Sequence, residues 1–185
     1  AGVQRLEMTK VIHPKNDALT RYLQGQLDRV VNKVPAEVFV IEDDEVNAFA
    51  TPTGKIFVTT GILKMLDTVE ELHALFMHEL THIEKKHAYT RTRLWEDPYA
   101  LGRARLAELQ ADTQMIIELN RRGLNPVGAL GLTQKMVKLK ADKKTKLDPK
   151  HGSEEQRHVI LRELIRFIRL KHLSDETQAL PWKSS

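Results

Sequence analysis

The sequence contains no cysteine, so disulfides and thiolate ligands are excluded, and any bound metal must rest on His, Asp or Glu. Aromatic residues make up only 5% of the chain, and none interrupts the lysine-rich stretch Lys138–Lys150, which therefore lacks the rings a base-stacking surface needs. No apolar run approaches the roughly 18 residues of a membrane helix, and no charged-then-apolar segment of the secretion-signal kind opens the chain. Charge of one sign is not in large excess either. The 29 Lys and Arg against 25 Asp and Glu leave +4, with the acids interspersed, which singles out no anionic partner.

What is present suits a folded protein. The 185 residues, 41% hydrophobic and 29% charged, fit one soluble domain over 1–185, with tails at about 1–10 and 173–185 expected to be loose. A chain that begins at Ala1 rather than Met points to a processed export product or a trimmed one. A periplasmic or otherwise exported location is the expectation.

The periodicity predicts an α+β fold, mostly helical, with a small sheet. Leu19, Tyr22, Leu23, Leu27, Val30 and Val31 place one apolar face on a helix within 15–32. Val38–Ile41, Val46–Ala50 and Lys55–Thr60 read as strands, the last two joined by a Thr51-Pro52-Thr53-Gly54 hairpin loop. Thr68-Val69-Glu70-Glu71 has the form of a capping box, opening a helix from Val69 to about His87. Its stripe of Leu72, Phe76, Leu80 and Ile83, widened by Leu75 and Met77, makes this helix central. Further helices are expected over about 99–122, ended by Gly123, from Asn125-Pro126 to about Lys140, and from a second capping box at Ser153 through Arg169.

The central helix carries His78-Glu79-Leu80-Thr81-His82. Residues four apart on a helix share a side, with about 5 to 6 Å between Cβ atoms, so two imidazoles can converge on one zinc ion. Glu79 stands beside them, within reach of metal-bound water as a general base. At about 100° per residue, both histidines fall away from the packing stripe and towards a cleft. A catalytic zinc needs a third protein ligand. Glu108 is the choice, with Asp112 one turn later to accept the second ring N–H of His78; Glu84, Glu96 and Glu118 are competitors on spacing alone. His73 and His87 lie on another side of the helix, and His13, His158 and His172 are expected to have no metal-like neighbours.

Taken in order, Asn47-Ala48-Phe49-Ala50, Gly54-Lys55-Ile56-Phe57-Val58-Thr59-Thr60-Gly61, the His78–His82 motif and Glu108-Leu109-Gln110-Ala111-Asp112 resemble successive blocks of one gluzincin metallopeptidase family. It includes the CAAX prenyl endopeptidases, the HtpX heat-shock proteases, the OMA mitochondrial protease and periplasmic peptidases of outer-membrane quality control. The resemblance runs from about Val38 to Arg157. It implies a zincin-like metalloprotease domain with one zinc, Glu108 as third ligand and Asp112 behind the ligand shell. It also implies that the strand with Asn47 and Ala48 forms the cleft rim, where an extended polypeptide substrate adds as a further strand; ordinary edge packing is the alternative.

His151 and Arg157 resemble the family's H-P-x-x-x-x-R block, with Gly152 in place of the proline. In that block the histidine lies near the zinc and either occupies its open position or assists the developing oxyanion, and the arginine holds the segment or the site. A loop end capping the helix that follows is an equal alternative for His151.

The implied activity is zinc-dependent hydrolysis of internal peptide bonds in unfolded or extended polypeptides, in protein quality control. Two rivals differ in class. One is a latent, chaperone-like module with His151 filling the open zinc position; the other is a basic nucleic-acid-binding domain, disfavoured by the absent aromatics. No membrane span is expected in this chain, and membrane association would rely on segments beyond it. The oligomeric state is left open.

Overall fold

A computed structural model describes residues 10–31, 35–84, 112–143, 154–167 and 170–183. Four strands, β1 (Val11–Ile12), β2 (Glu37–Glu42), β3 (Ala48–Ala50) and β4 (Lys55–Thr59), form one mixed sheet in the order β1-β2-β4-β3. β2 and β4 run parallel, with Val38 opposite Ile56 and Val40 opposite Val58. β1 and β3 flank them antiparallel, so each is an edge. The expected hairpin is present: Thr51 N–H donates to Lys55 O, Gly54 N–H donates to Thr51 O, and Gly54 has φ 89°.

Alternation sorts the sheet into two faces. Val38, Val40, Ile56 and Val58 are fully buried on the helix side, in one core with Leu23, Leu27 and Val30 of helix α1 (Ala18–Val30). On the opposite side Phe57 stacks between its register partners Phe39 and Phe49, with ring centroids 5.0 Å away in each case. Asp17 caps α1, its carboxylate accepting from Thr20 N–H. Two elements absent from the sequence reading appear here: the two-residue strand β1, and the six-residue helix α2 (Thr60–Met65) capped by Thr59. Both are too short to show a period.

Helix α3 (Val69–Glu84) is central, as the all-round apolar pattern implies: Leu72, Phe76 and Leu80 are buried, and so are Leu75 and Met77. Its start is a reciprocal capping box, in which Glu71 N–H donates to Thr68 Oγ1 and Thr68 N–H donates to Glu71 Oε1. The same buried carboxylate accepts from Asp67 N–H and from Lys135 Nζ of helix α5 (Gly128–Lys143). The two helices approach closely because Gly128 has no Cβ; one placed there would stand 2.0 Å from Glu70 O.

Between them the described helical stretch 112–121, here α4, buries Met115, Ile116 and Leu119. It ends in a Schellman motif, where Gly123 N–H donates to Asn120 O and Leu124 N–H to Leu119 O. Gly123 supplies the left-handed residue at φ 75°. Asn125 Oδ1 then accepts from Val127 N–H ahead of α5, which continues to Lys143, a turn beyond the expected end. Helix α6 (Glu154–Phe167) packs on α5 and buries Leu161 and Ile165. Its proposed Ser153 cap lies outside the described residues.

The expectation of a loose tail from 173 fails over its described part. Val69 N–H donates to Gln178 O, Leu180 N–H to Asp67 O and Trp182 Nε1–H to Leu63 O. Leu180 is fully buried, and Trp182 meets Tyr22 edge-on at 5.9 Å. The anchoring groups are few and irregularly spaced, so no periodic signal announced them. The expected loose segment 1–10 lies outside the described residues except for Lys10, whose ammonium pairs with Asp43 at 3.4 Å.

Candidate active site

Helix α3 carries His78, partly buried, and Glu79, buried. The His78 side chain is 12% exposed, and its Nδ1 lies 3.1 Å from Oδ1 of Asp112, which is 1% exposed at the start of the described part of α4. Two residues 34 positions apart in sequence are thus brought together by the packing of α4 on α3. A buried carboxylate facing Nδ1 favours the tautomer with its proton on Nδ1 and leaves the Nε2 lone pair as the donor. That is the tautomer in which a histidine can serve as a metal ligand through Nε2, so His78 itself suits a zinc ion.

Glu79 is buried at 9% exposure, next to His78 in the helix. Thr81, also buried, returns its hydroxyl to Met77 O and adds no donor towards the motif side. His82 follows one turn after His78 on the same helix; its side chain lies outside the described residues. Glu108, His151 and the competitor Glu96 also lie outside them, as does the side chain of Arg157, whose backbone belongs to α6. Among the described residues, no group of three His, Asp or Glu side chains is gathered to hold a metal. Of the other competitors, Glu118 is engaged by Arg121 at 2.8 Å and Arg122 at 3.7 Å, while Glu84 is exposed at the described end of α3.

The expected rim is an edge strand beside this helix. Ala48 pairs with Val58 in β3, and α3 packs against β3. Asn47 precedes the strand; its N–H donates to Thr59 Oγ1 and its carbonyl accepts from Thr59 N–H, fixing the entry of β3. Because Asn47, Phe49 and Thr51 make the ladder contacts to β4, the backbone groups of Ala48 and Ala50 are directed away from β4, to the outer edge of the described sheet.

The remaining described histidines divide. His73, expected to pack without function, is buried and hydrogen-bonded through Nε2 to Gln26 Oε1 at 2.7 Å. Burial, with the Arg29 charge nearby, lowers its pKa to about 4. His172 sits beside Gly123, its N–H donating to Asn120 Oδ1. His13, expected to have no metal-like neighbours, has a carboxylate facing each ring nitrogen. Asp17, four positions on, was visible in the sequence, whereas Glu42 reaches it only through the pairing of β1 with β2.

A mixed sheet flanked by a buried helix with an H-E-x-x-H sequence defines an α+β, zincin-like domain. The chain belongs to peptidase family M48, whose model matches residues 15–137. It is similar to a protease HtpX homolog of Acidiphilium cryptum, 41% identical over 86 residues, which make up 43% of this chain and 30% of that protein. It is also similar to the mitochondrial metalloendopeptidase OMA1 of Bos taurus, 33% identical over 57 residues, 31% of this chain and 11% of the relative. The beta-barrel assembly-enhancing protease of Escherichia coli K12 is 30% identical over 74 residues, 37% of this chain and 15% of the relative. The chain thus matches less than a third of the length of each of these relatives. A protease role in general is what the family and these relatives support, and no helix among the described residues is long and apolar enough to cross a membrane.

Proposed function

We propose that this chain is a single zinc-dependent metalloendopeptidase domain that cuts internal peptide bonds of unfolded or extended polypeptides, in protein quality control within the periplasm or another exported compartment. The contact of His78 Nδ1 with the buried Asp112 carboxylate carries the reading, because it orients one imidazole as a metal ligand. In this assignment His78, His82 and Glu108 hold one zinc ion, and Asp112 sets the His78 tautomer. Bound zinc supplies Lewis acidity, acidifying water and polarising the scissile carbonyl.

The protein's own groups do the rest. Glu79 takes a proton from the attacking water and delivers it to the leaving nitrogen. The open edge of β3, entered at Asn47 and beginning at Ala48, receives the substrate as an added strand, so that backbone pairing rather than side-chain identity supplies most of the grip. His151 assists the oxyanion that develops on the carbonyl, and Arg157 holds that segment.

The decisive experiment combines metal analysis with cleavage of an unfolded protein, with and without a chelator. One zinc per chain is expected, with cleavage lost on chelation and regained on adding zinc. A folded chain without zinc would sink the assignment. Zinc and client binding without cleavage would favour the latent module instead.

A further inference from the structure

The imidazole of His13 stands between two carboxylates from different elements. Nδ1 lies 2.9 Å from Asp17 Oδ2, and Nε2 lies 2.6 Å from Glu42 Oε2. Asp17 is the cap of α1, its other oxygen accepting from Thr20 N–H. Glu42 is the last residue of β2, directly opposite Val11 of β1. His13 itself follows β1, and its N–H donates to Val40 O at 2.9 Å, extending the β1–β2 ladder by one bond. One side chain therefore joins an edge strand, the end of an inner strand and the start of a helix.

Only the imidazolium has a proton on each ring nitrogen, so only the charged form donates to both carboxylates at once. The neutral ring satisfies one and sets a lone pair against the other. We propose that His13 is a pH-operated latch: its protonated ring clamps the short edge strand β1 to β2 and α1, and loss of the proton frees one arm and loosens that edge.

The neighbouring charges do not replace it. Lys10 pairs with Asp43, and Lys15 pairs with Glu37 and lies over the Phe39 ring. The Glu42 hydrogen bond raises the His13 pKa above 6.5, with burial opposing and Asp17 adding to the rise. A raised folded-state pKa means that the stabilisation is complete below the unfolded value and is lost as pH climbs through the folded one. Among the described residues, the two-residue strand β1 pairs with β2 at Val11–Glu42 and Ile12–Ile41, and Val11 is 71% exposed.

Amide hydrogen exchange at His13, corrected for the intrinsic pH dependence of exchange, tests this on the full chain from about pH 5.5 to about pH 8.5. Protection of this amide should fall roughly fivefold through the pKa that NMR reads on the His13 ring, itself above 6.5, while amides of α3 hold steady. His13→Gln should abolish the step. Should that variant not fold, Glu42→Gln keeps an acceptor but removes the charge, and must lower the ring pKa and shrink the step. Protection that stays flat with pH, a step that survives His13→Gln or Glu42→Gln unchanged, or a ring titrating at or below 6.5 overturns the latch.

Discussion

His78 and Asp112 meet at 3.1 Å, with the aspartate 1% exposed, so a carboxylate far from solvent faces one ring nitrogen of the motif's first histidine. Such a group fixes the ring's tautomer and strengthens the other nitrogen as a donor. Asp112→Asn keeps the size and removes the charge. Zinc affinity should fall about 10- to 100-fold, measured by competition with a chelator. Unchanged affinity would detach Asp112 from the metal site.

Glu79→Gln keeps the shape of a buried side chain while abolishing its basicity. Zinc content should remain that of the wild type, and turnover of an unfolded protein should drop by about 10²- to 10⁴-fold. Wild-type turnover in this variant would remove Glu79 from the mechanism.

His73 makes acid stability testable. Its folded pKa of about 4 lies below the ordinary 6.5, so the unfolded chain binds the proton first as pH falls. Its contribution is complete above pH 6.5, declines between 6.5 and about 4, and is level below that; the total is about 3 kcal/mol. Denaturant unfolding at a series of pH values should show this loss, and His73→Gln should flatten that part of the curve.

Gly128→Ala introduces a methyl carbon 2.0 Å from the Glu70 carbonyl oxygen, which is backbone and cannot swing away. The usual helix-propensity gain of about 1 kcal/mol is outweighed, and a net loss of about 2 kcal/mol is expected from the forced separation of α3 and α5. Thermal unfolding decides the sign.

Leu180→Ala tests whether the carboxy-terminal segment belongs to the folding unit. A fully buried leucine in the main core should cost about 2 to 5 kcal/mol on truncation. A change near zero would mean that the segment rests on the core without stabilising it.

The sequence made some features legible because each leaves a local mark. The capping box at Thr68, the apolar periodicity of α3, the hairpin turn at Gly54 and the helix stop at Gly123 all require particular residues within a few positions. The pairing of His78 with Asp112 was legible on another ground, since a ligand histidine needs an orienting acceptor and the resemblance put one there. What escaped was short or distant. β1 and α2 hold too few residues for a period, the anchoring of Leu180 and Trp182 depends on pockets made elsewhere, and Lys135 meets Glu71 across 64 positions. His13 was misread for the same reason, because half of its environment arrives through strand pairing.

Glu71 ends the start of α3 and at the same time ties it to Lys135 on α5. A helix free at its first turn can slip like a screw, and a slip of one residue turns every side chain on it by about 100°. With three donors meshed on one carboxylate, α3 starts in a single phase. His78, two turns downstream, inherits that phase, so the direction in which the motif faces is set seven residues before the motif begins.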